Sequence, residues 1–475
     1  MPTRLAQAYA LTKITACITL LLLLAACTVG PNYLKPTTKI PEKFKEASKG
    51  WKIAEPQDEL NRGAWWTVFK AADLDSLEAK IDLSNQTIAV AQAQYLQAKA
   101  LVDQAQASLF PVIGATASNT RQKTVAVSAT QTLSGQYSTT DVISLTATWE
   151  PDLWGGVRRL VEANQAAASA SAALLAGTRL SMQASLAQYY FQLRALDVDQ
   201  QYLDNNLFKY QQLLALVQNQ YAAGVASRLD ILQADNQLKL AKTQALDNGI
   251  LRAQYEHAIA VLLGQPPAHF SIKPQADPLK VPHIPIKLPS ALLERRPDIA
   301  AAERQVAQAN AEIGIAIAGF FPNLTLTSAD GIQSNHFSQL LSKPITVWSL
   351  GSQLAATLFD SGLNSAKTAA ARANYDAQVA TYRQTVLSAF QDVEDNLANL
   401  RILEEESNVL HEIVITTDAI LQLTLNQYKS GINTFADVLT AQLASDSARK
   451  NLADTNSNRT IATVALIKAL GGGWK

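Results

Sequence analysis

The chain has almost no cysteine: only Cys17 and Cys27 occur among its 475 residues. Cys17 lies in an N-terminal segment with positive charges followed by a short apolar run, Ile14 to Ala26. That run has the size of the apolar region of a signal peptide and is short for a membrane span. Removal of residues 1–26 would leave Cys27 as the single cysteine, which excludes a disulfide within the mature chain and a cysteine-ligated metal site.

Net charge and catalytic motifs are lacking as well. The 40 Lys and Arg residues balance the 40 Asp and Glu residues, so no nucleic-acid partner is indicated. The histidines are scattered without metal-ligand spacing, and neither a glycine-rich phosphate loop nor a Gly-x-Ser-x-Gly motif occurs. The acidic run Glu404–Glu406 is typical of a solvated helix face. The sequence therefore predicts a protein that is not an enzyme and that holds no cofactor or metal.

Proline is missing from two long stretches, 152–265 and 345–475, and is crowded between Pro266 and Pro297. A helix interior excludes proline, so the empty stretches predict long helices. The crowded stretch predicts an extended linker over 266–290. A helix of roughly 67 residues measures on the order of 100 Å, which is longer than a globular domain. The pattern therefore predicts a tube or a bundle.

The second half of the chain repeats the first. The stretch Asn219–Ala234 (NQYAAGVASRLDILQA) aligns without gaps with Asn426–Ala441 (NQYKSGINTFADVLTA). A match at constant spacing indicates a duplicated structural unit. The first repeat is predicted over 73–265 and the second over 291–470, with a short tail at 471–475.

Both repeats predict long helices joined by glycine-containing turns. In the first repeat, helical patterns cover about 73–109, about 155–221 and, after a turn at Gly224, about 228–263. In the second repeat, helical patterns cover about 362–428 and, after a turn at Gly431, extend to residue 470. Each repeat therefore contains one elongated helical hairpin.

Four segments alternate between apolar and polar residues, which is the period of a strand with one apolar face. They cover about 112–120, 142–150, 323–330 and 346–358, and they predict two hairpins. Segments of about ten residues with this alternation are typical of transmembrane barrels, and a soluble antiparallel sheet is the alternative. Four strands cannot close a barrel, and lipid does not tolerate open sheet edges. Membrane-spanning hairpins would therefore require an oligomer.

The run Leu24-Ala25-Ala26-Cys27 matches a bacterial lipobox, in which Cys27 is lipidated and becomes the mature N-terminus. An ordinary signal peptide with an incidental cysteine is the alternative. Thr28 follows where an aspartate would indicate inner-membrane retention, so the sequence predicts a lipid anchor in the outer membrane. Residues 27–72 contain several prolines and predict an extended tether that leads away from this anchor.

Several motifs resemble the TolC-like outer membrane factor family, in its NodT-type lipoprotein branch. They are Cys27–Tyr33 (CTVGPNY), Trp65-Trp66 with Phe69, Asp152–Gly155 (DLWG), Leu292–Ile299 (LLERRPDI) and Phe320–Pro322 (FFP). The resemblance implies a mainly α-helical chain with a membrane β-barrel portion. It implies a homotrimer in which each protomer gives four strands to a twelve-stranded outer-membrane barrel, while the duplicated helical hairpins form an α-barrel tunnel in the periplasm.

The same resemblance implies the exit duct of a tripartite efflux system. Such a channel passes small toxic molecules from an inner-membrane pump of the resistance-nodulation-division type, with a periplasmic adaptor, to the exterior. Two alternatives stay open from the sequence. One is the outer-membrane component of a type I protein secretion system, and the other is a lipid-anchored periplasmic coiled-coil scaffold that is not a channel.

The two turns between the long helices are the predicted gate and docking surface. In a symmetric oligomer a residue near the axis forms a ring, and a ring of carboxylates narrows a pore and attracts cations. The gate candidates are Asp437, Tyr428, Asp230 and Tyr221. The alternative is that both aspartates only stabilise the first turn of the following helix. Gly224 and Gly431 mark the tips on which an adaptor is predicted to dock in a coiled-coil manner.

Overall fold

The computed structural model describes residues 28–37, 44–46, 63–127, 133–276, 282 and 295–472. The chain divides into two compact units. The first, here called the sheet unit, is built from described residues within 1–37, 95–171 and 302–382. The second, here called the helical unit, is built from described residues within 38–94, 172–301 and 383–475.

Helices make up most of the described chain. The first repeat contains α1 (Ala72–Ser84), α2 (Gln86–Ala107), α3 (Gly156–Ala222) and α4 (Arg228–Leu262). The second contains α5 (Pro297–Ala318), α6 (Leu363–Lys429) and α7 (Phe435–Ala469). Helices α3 and α6 have 67 residues each, and α4 and α7 have 35 each. The duplication seen in the sequence thus preserves the length of both arms of the helical hairpin.

The prediction of one continuous helix over about 73–109 is wrong. The pattern over about 73–109 forms two helices, because Asn85 takes an extended backbone conformation between α1 and α2. The Asn85 side chain donates to the Leu262 carbonyl at 2.7 Å and accepts the Ile88 N–H at 3.0 Å. Asparagine stabilises a helix start by accepting such an N–H, so this single residue ends α1 and caps α2.

The strands form one antiparallel sheet in the order β1-β2-β3-β4. Their bounds are Val112–Val127, Leu133–Trp149, Asn323–Ser334 and Ile345–Ala355. The first hairpin is longer than predicted, since Arg121 pairs with Thr139 beyond the predicted ends near 120 and 142. The side chains around Arg121 are polar at successive positions, so the alternation of apolar and polar residues is lost there, although the backbone pairing continues. Strand β4 ends at Ala355, before the predicted end near 358.

One face of the sheet is apolar and uncovered in the protomer. Ile113, Ala147, Ser328 and Leu350 follow one another across the four strands as direct partners. Ile113 is 73% exposed and Leu350 is 78% exposed. An exposed apolar patch of this kind marks a surface that contacts lipid or another protein.

The helical unit has its own core, in which residues of α1, α3, α4 and α7 pack together. The aromatic motif that precedes α1 belongs to it, since Trp65 and Phe69 are buried. The Phe69 ring lies 4.7 Å from the Phe191 ring of α3. The motif is therefore a packing element that fixes the entry of the chain into α1.

A buried ion network lies beside this core. Asp197 of α3 accepts from Arg252 at 2.6 Å, from Arg194 at 3.1 Å and from the Gln275 N–H at 3.0 Å. Only 1% of the Asp197 side chain is exposed. The second repeat keeps one of these pairs at the equivalent positions, where Arg459 lies 3.4 Å from Glu404. That pair is at the surface, because 66% of the Glu404 side chain is exposed.

Candidate functional site

The two inter-helix turns have nearly the same backbone conformation. Gly224 has φ 75° and Gly431 has φ 74°. The Gly224 N–H donates to the Tyr221 carbonyl at 2.9 Å, and the Gly431 N–H donates to the Tyr428 carbonyl at 3.0 Å. Glycine adopts positive φ without the steric cost that a Cβ imposes, so each glycine permits a tight end to its long helix.

Both candidate aspartates complete capping boxes. The Asp437 carboxylate accepts the Thr434 N–H at 2.9 Å and the Thr434 hydroxyl at 2.7 Å. Asp230 makes the equivalent pair with Ser227, at 2.8 Å and 2.9 Å. The bonds from Thr434 hold the pKa of Asp437 below its usual range. The structure therefore gives both carboxylates a local role, the stabilisation of a helix start.

The structure brings the two turns of the protomer together. Residues at the ends of α3, α4, α6 and α7 form one small core, in which Tyr428 is 8% exposed. Its ring lies 5.9 Å from the Phe435 ring. Burial and the charge of Asp230 raise the pKa of the Tyr428 phenol. Of the gate candidates, Tyr428 is thus buried within the core that joins the two turns, Asp230 is half-buried, and Tyr221 and Asp437 are exposed.

Sequence reasoning did not identify Asp446 of α7, which links the two repeats. Its carboxylate accepts the Tyr202 hydroxyl at 2.8 Å and the Tyr210 hydroxyl at 2.5 Å, both from α3. Burial is the main cause that raises the pKa of both tyrosines, which keeps the two hydroxyls protonated as donors. The spacing of the tyrosines places them on one helix face, but nothing in the sequence pairs that face with Asp446.

Arg296 explains the Leu-Glu-Arg-Arg-Pro-Asp motif at 293–298, of which residues 293 and 294 lie outside the described chain. The guanidinium donates to Asp298 at 3.0 Å and 2.7 Å and to Asp392 of α6 at 2.9 Å. It also donates to the Ala469 carbonyl at 3.1 Å. The last carbonyls of a helix lack partners within it, so Arg296 closes the end of α7 while it binds α6.

Glu78 of α1 carries an unpaired carboxyl in the helical unit. It is fully buried, and neither oxygen has a hydrogen-bond partner among the residues that the structure describes. Burial, with repulsion from Asp82 and Asp75, raises the pKa of Glu78 to about 9. The carboxyl is therefore protonated and neutral at neutral pH.

We expect Glu78→Gln to stabilise the protein increasingly as the pH rises. The folded pKa of about 9 exceeds the ordinary value of 4.5, so folding takes up a proton between these values. The wild-type stability is thus full below the ordinary pKa and is lost as pH rises through the folded pKa, by at most about 1.4 kcal/mol per pH unit. Thermal unfolding across this pH window measures the difference between the two proteins.

The control for this prediction is Asp103→Asn, which removes an exposed carboxylate that is not among the charges shifting the pKa of Glu78. The Gln variant should match the wild type at acid pH and exceed it at alkaline pH, while the control changes the slope much less. Parallel stability curves for the wild type and Glu78→Gln would contradict the assignment of a neutral Glu78.

Within the described residues, no three His, Cys, Asp or Glu side chains are grouped so that they could hold a metal ion. None of the helices formed by them combines the length and apolar character that crossing a bilayer requires. Cys27, the predicted lipidation site, lies outside the described residues, which begin at Thr28.

Comparison with protein families gives one match in each repeat. Residues 79–265 and 288–472 match the outer membrane efflux protein family. The chain is 31% identical to the pyoverdine export outer membrane protein OpmQ of Pseudomonas aeruginosa, over 98% of this chain and 97% of that protein. It is 27% identical to the cation efflux system protein CusC of Escherichia coli, over 96% of this chain and 97% of that protein.

Solved structures of similar fold are outer-membrane channels. The channel OprN superposes with a TM-score of 0.87 at 30% identity, over 94% of this chain and 100% of that chain. The open state of the Neisseria gonorrhoeae MtrE outer membrane channel superposes with a TM-score of 0.78 at 28% identity, over 94% of this chain and 99% of that chain.

Proposed function

This chain belongs to the outer membrane efflux protein family and is an outer-membrane efflux channel that extends into the periplasm, and we propose that it is the exit duct for small toxic molecules. The observation that carries the proposal is the family match over both repeats. Channels of this family work with a periplasmic adaptor and an inner-membrane pump. We assign the pump to the resistance-nodulation-division type.

A homotrimer completes the proposed channel. The strand order leaves β1 and β4 at the two edges of the protomer's sheet, each with one unpaired side. Four strands are too few to close a barrel, and lipid excludes an open edge. Three protomers joined from β4 to β1 give twelve strands, with the apolar face that holds Ile113 and Leu350 toward the lipid.

The proposed gate is the region of the two turns. In a ring of protomers, Asp437 and Tyr221 present exposed side chains, while Tyr428 packs in the small core that joins the two turns within each protomer. Opening requires the α6–α7 turn to move relative to the α3–α4 turn. The link from Asp446 to Tyr202 and Tyr210 resists the same movement, because it joins α7 to α3.

The tips marked by Gly224 and Gly431 are the proposed docking sites for the adaptor. A Cβ at either glycine would meet no atom within 4 Å, so the tips are open to an approaching partner. We expect Gly431→Pro to abolish complementation of an efflux-deficient strain, because proline requires φ near −65° and Gly431 has φ 74°. Gly431→Asn is the matched control, since asparagine tolerates positive φ.

Two measurements accompany this prediction. Gel analysis of outer membranes should show that Gly431→Pro still assembles the oligomer, and crosslinking should show loss of the adaptor contact. Full complementation with intact crosslinking at the tips would place docking elsewhere on the channel.

The proposed function is tested by deleting the gene and measuring both sensitivity and secretion. We expect the deletion to increase sensitivity to small toxic compounds and the full-length chain to restore resistance. The purified oligomer should also conduct ions in a planar bilayer and spend most of its time closed. Unchanged sensitivity together with loss of a secreted protein would overturn the efflux proposal in favour of protein export.

The lipid anchor is the remaining part of the proposal. Leu24-Ala25-Ala26-Cys27 supports cleavage before Cys27 and its diacylation. A diacylated residue carries two acyl chains, which hold a protein on a membrane stably where one chain does not. The anchored N-terminus would then lie in the outer membrane beside the barrel.

A further inference from the structure

The residues that directly follow Cys27 are bound to the sheet unit along their length. The Val29 N–H donates to the Trp154 carbonyl at 3.0 Å. The Asn310 side chain donates to the Pro31 carbonyl at 3.0 Å, and the Tyr33 hydroxyl donates to Glu303. Trp154 precedes α3 of the first repeat, whereas Asn310 and Glu303 belong to α5 of the second. The segment therefore contacts both repeats.

Arg159 of α3 makes the most extensive of these contacts. Its guanidinium donates to the Val29 carbonyl at 3.1 Å, the Gly30 carbonyl at 3.2 Å and the Asn32 side chain at 2.9 Å. Only 4% of the side chain is exposed, and its remaining bond goes to Glu162 at 2.7 Å. A planar guanidinium reaches several acceptors in a fixed geometry, which a lysine ammonium on its flexible stem cannot do.

The surface that binds this segment, here called the seat, is formed by Trp154, Gly155 and Arg159 with α5. Glycines allow the segment and the seat to approach closely. Gly30 has φ 91°, and a Cβ there would lie 2.5 Å from the Gly314 Cα of α5. Gly155 has φ 81°, and a Cβ there would lie 2.9 Å from the Thr28 Cα. Side chains at these positions would collide with backbone, so the close approach depends on glycine on both sides.

The floor of the seat is fixed by its own contacts. The Trp154 ring stacks on the Phe321 ring at 4.8 Å, and the Trp154 indole N–H donates to the Pro322 carbonyl at 2.8 Å. Trp154 lies between β2 and α3, and Phe321 lies between α5 and β3. The seat is thus located where β2 is followed by α3 and where α5 is followed by β3.

We propose that Thr28–Tyr33 form a strap, that Arg159 is its positioning residue, and that the seat fixes the lipid anchor at one place beside the strand ends. The inference rests on the proposed lipidation of Cys27 and goes beyond it. The predicted tether begins as a bound segment, so Thr28, the first residue after the proposed anchor, is held at one place in the sheet unit. Since the seat contains α3 and α5, the strap docks only when both repeats are folded.

A spin label placed directly after the strap tests the proposal in the full-length oligomer in lipid vesicles. Leu34→Cys offers an 81% exposed labelling site, and Cys27 is the only other cysteine once residues 1–26 are removed. We expect the nitroxide motion in the otherwise wild-type protein to be restricted by the docked backbone, and to be faster in Arg159→Gln. Arg158→Gln is the matched control. It removes the same charge from the same helix, but Arg158 binds Asp152, at 3.1 Å, and not the strap.

A second variant keeps the proposal testable if Arg159→Gln fails to fold. Gly30→Val alters the strap alone and is expected to give the same mobile spectrum in an assembled oligomer. Equal nitroxide mobility in the wild type, Gly30→Val and Arg159→Gln overturns the strap. Intact-mass analysis of each sample reads the state of Cys27 separately. An unmodified Cys27 overturns the lipid anchor, and a Cys27→Ala form of the labelled protein then carries the single label that decides whether the segment is docked.

Discussion

Replacing Asp197 by asparagine is expected to destabilise the helical unit by about 3–5 kcal/mol, the usual cost of removing one partner from a buried ion pair. The Asp197 carboxylate is the shared acceptor for Arg194 and Arg252, at 3.1 Å and 2.6 Å. Asparagine keeps the shape and one acceptor oxygen but removes the negative charge. Arg194, with 5% of its side chain exposed, then keeps a charge that, among the described residues, the largely exposed Asp73 balances.

The duplication supplies the control for this experiment within the same molecule. Glu404 and Arg459 occupy the equivalent positions of the second repeat, but Glu404 is largely exposed. Glu404→Gln should therefore cost less than about 1 kcal/mol, as exposed pairs do. Denaturant or thermal unfolding of the detergent-solubilised protein compares the two variants. Equal losses would show that burial does not determine the strength of these pairs.

The same comparison shows what the sequence can predict and what it cannot. Constant spacing between the repeats predicts that Asp197 and Glu404 occupy equivalent places. It does not predict their different environments, because burial depends on which helices pack against each copy. Proline-free stretches and period-two segments likewise predict the helices and hairpins, whereas the break at Asn85 depends on the Leu262 carbonyl far along the chain.

Some features of the candidate site can be predicted from the sequence, and others cannot. Glycine and the capping residues predict both turns, since their backbone requirements are local. The bond between Asp446 and the tyrosines of α3 joins residues more than two hundred positions apart, so no local signal reveals it. The strap combines a local signal with a distant contact. The residues after Cys27 are recognisable as a motif in the sequence, but the role of Arg159 depends on the packing of α3 against α5.

Asp437→Ala is expected to increase the conductance of the channel in a planar bilayer. Asp437 accepts both the N–H and the hydroxyl of Thr434, and the Asp437 N–H donates back to Thr434 Oγ1 at 3.3 Å. Alanine removes the acceptor, so the start of α7 loses its cap and the turn after α6 is less firmly held. The proposed gate is built on this turn, and a looser turn should open more often.

Asp437→Asn separates the cap from the charge. Asparagine keeps an acceptor for the Thr434 N–H, so we expect gating close to that of the wild type, with a weaker preference for cations because the ring of charges is lost.

Asp454→Ala removes an exposed carboxylate from α7 outside the turn and should change neither property. If Asn and Ala raised the conductance equally, the charge ring would be the gate. If neither changed conductance or selectivity, Asp437 would have no part in gating, and the proposed closure would depend on Tyr428, Asp230 and the Asp446 link.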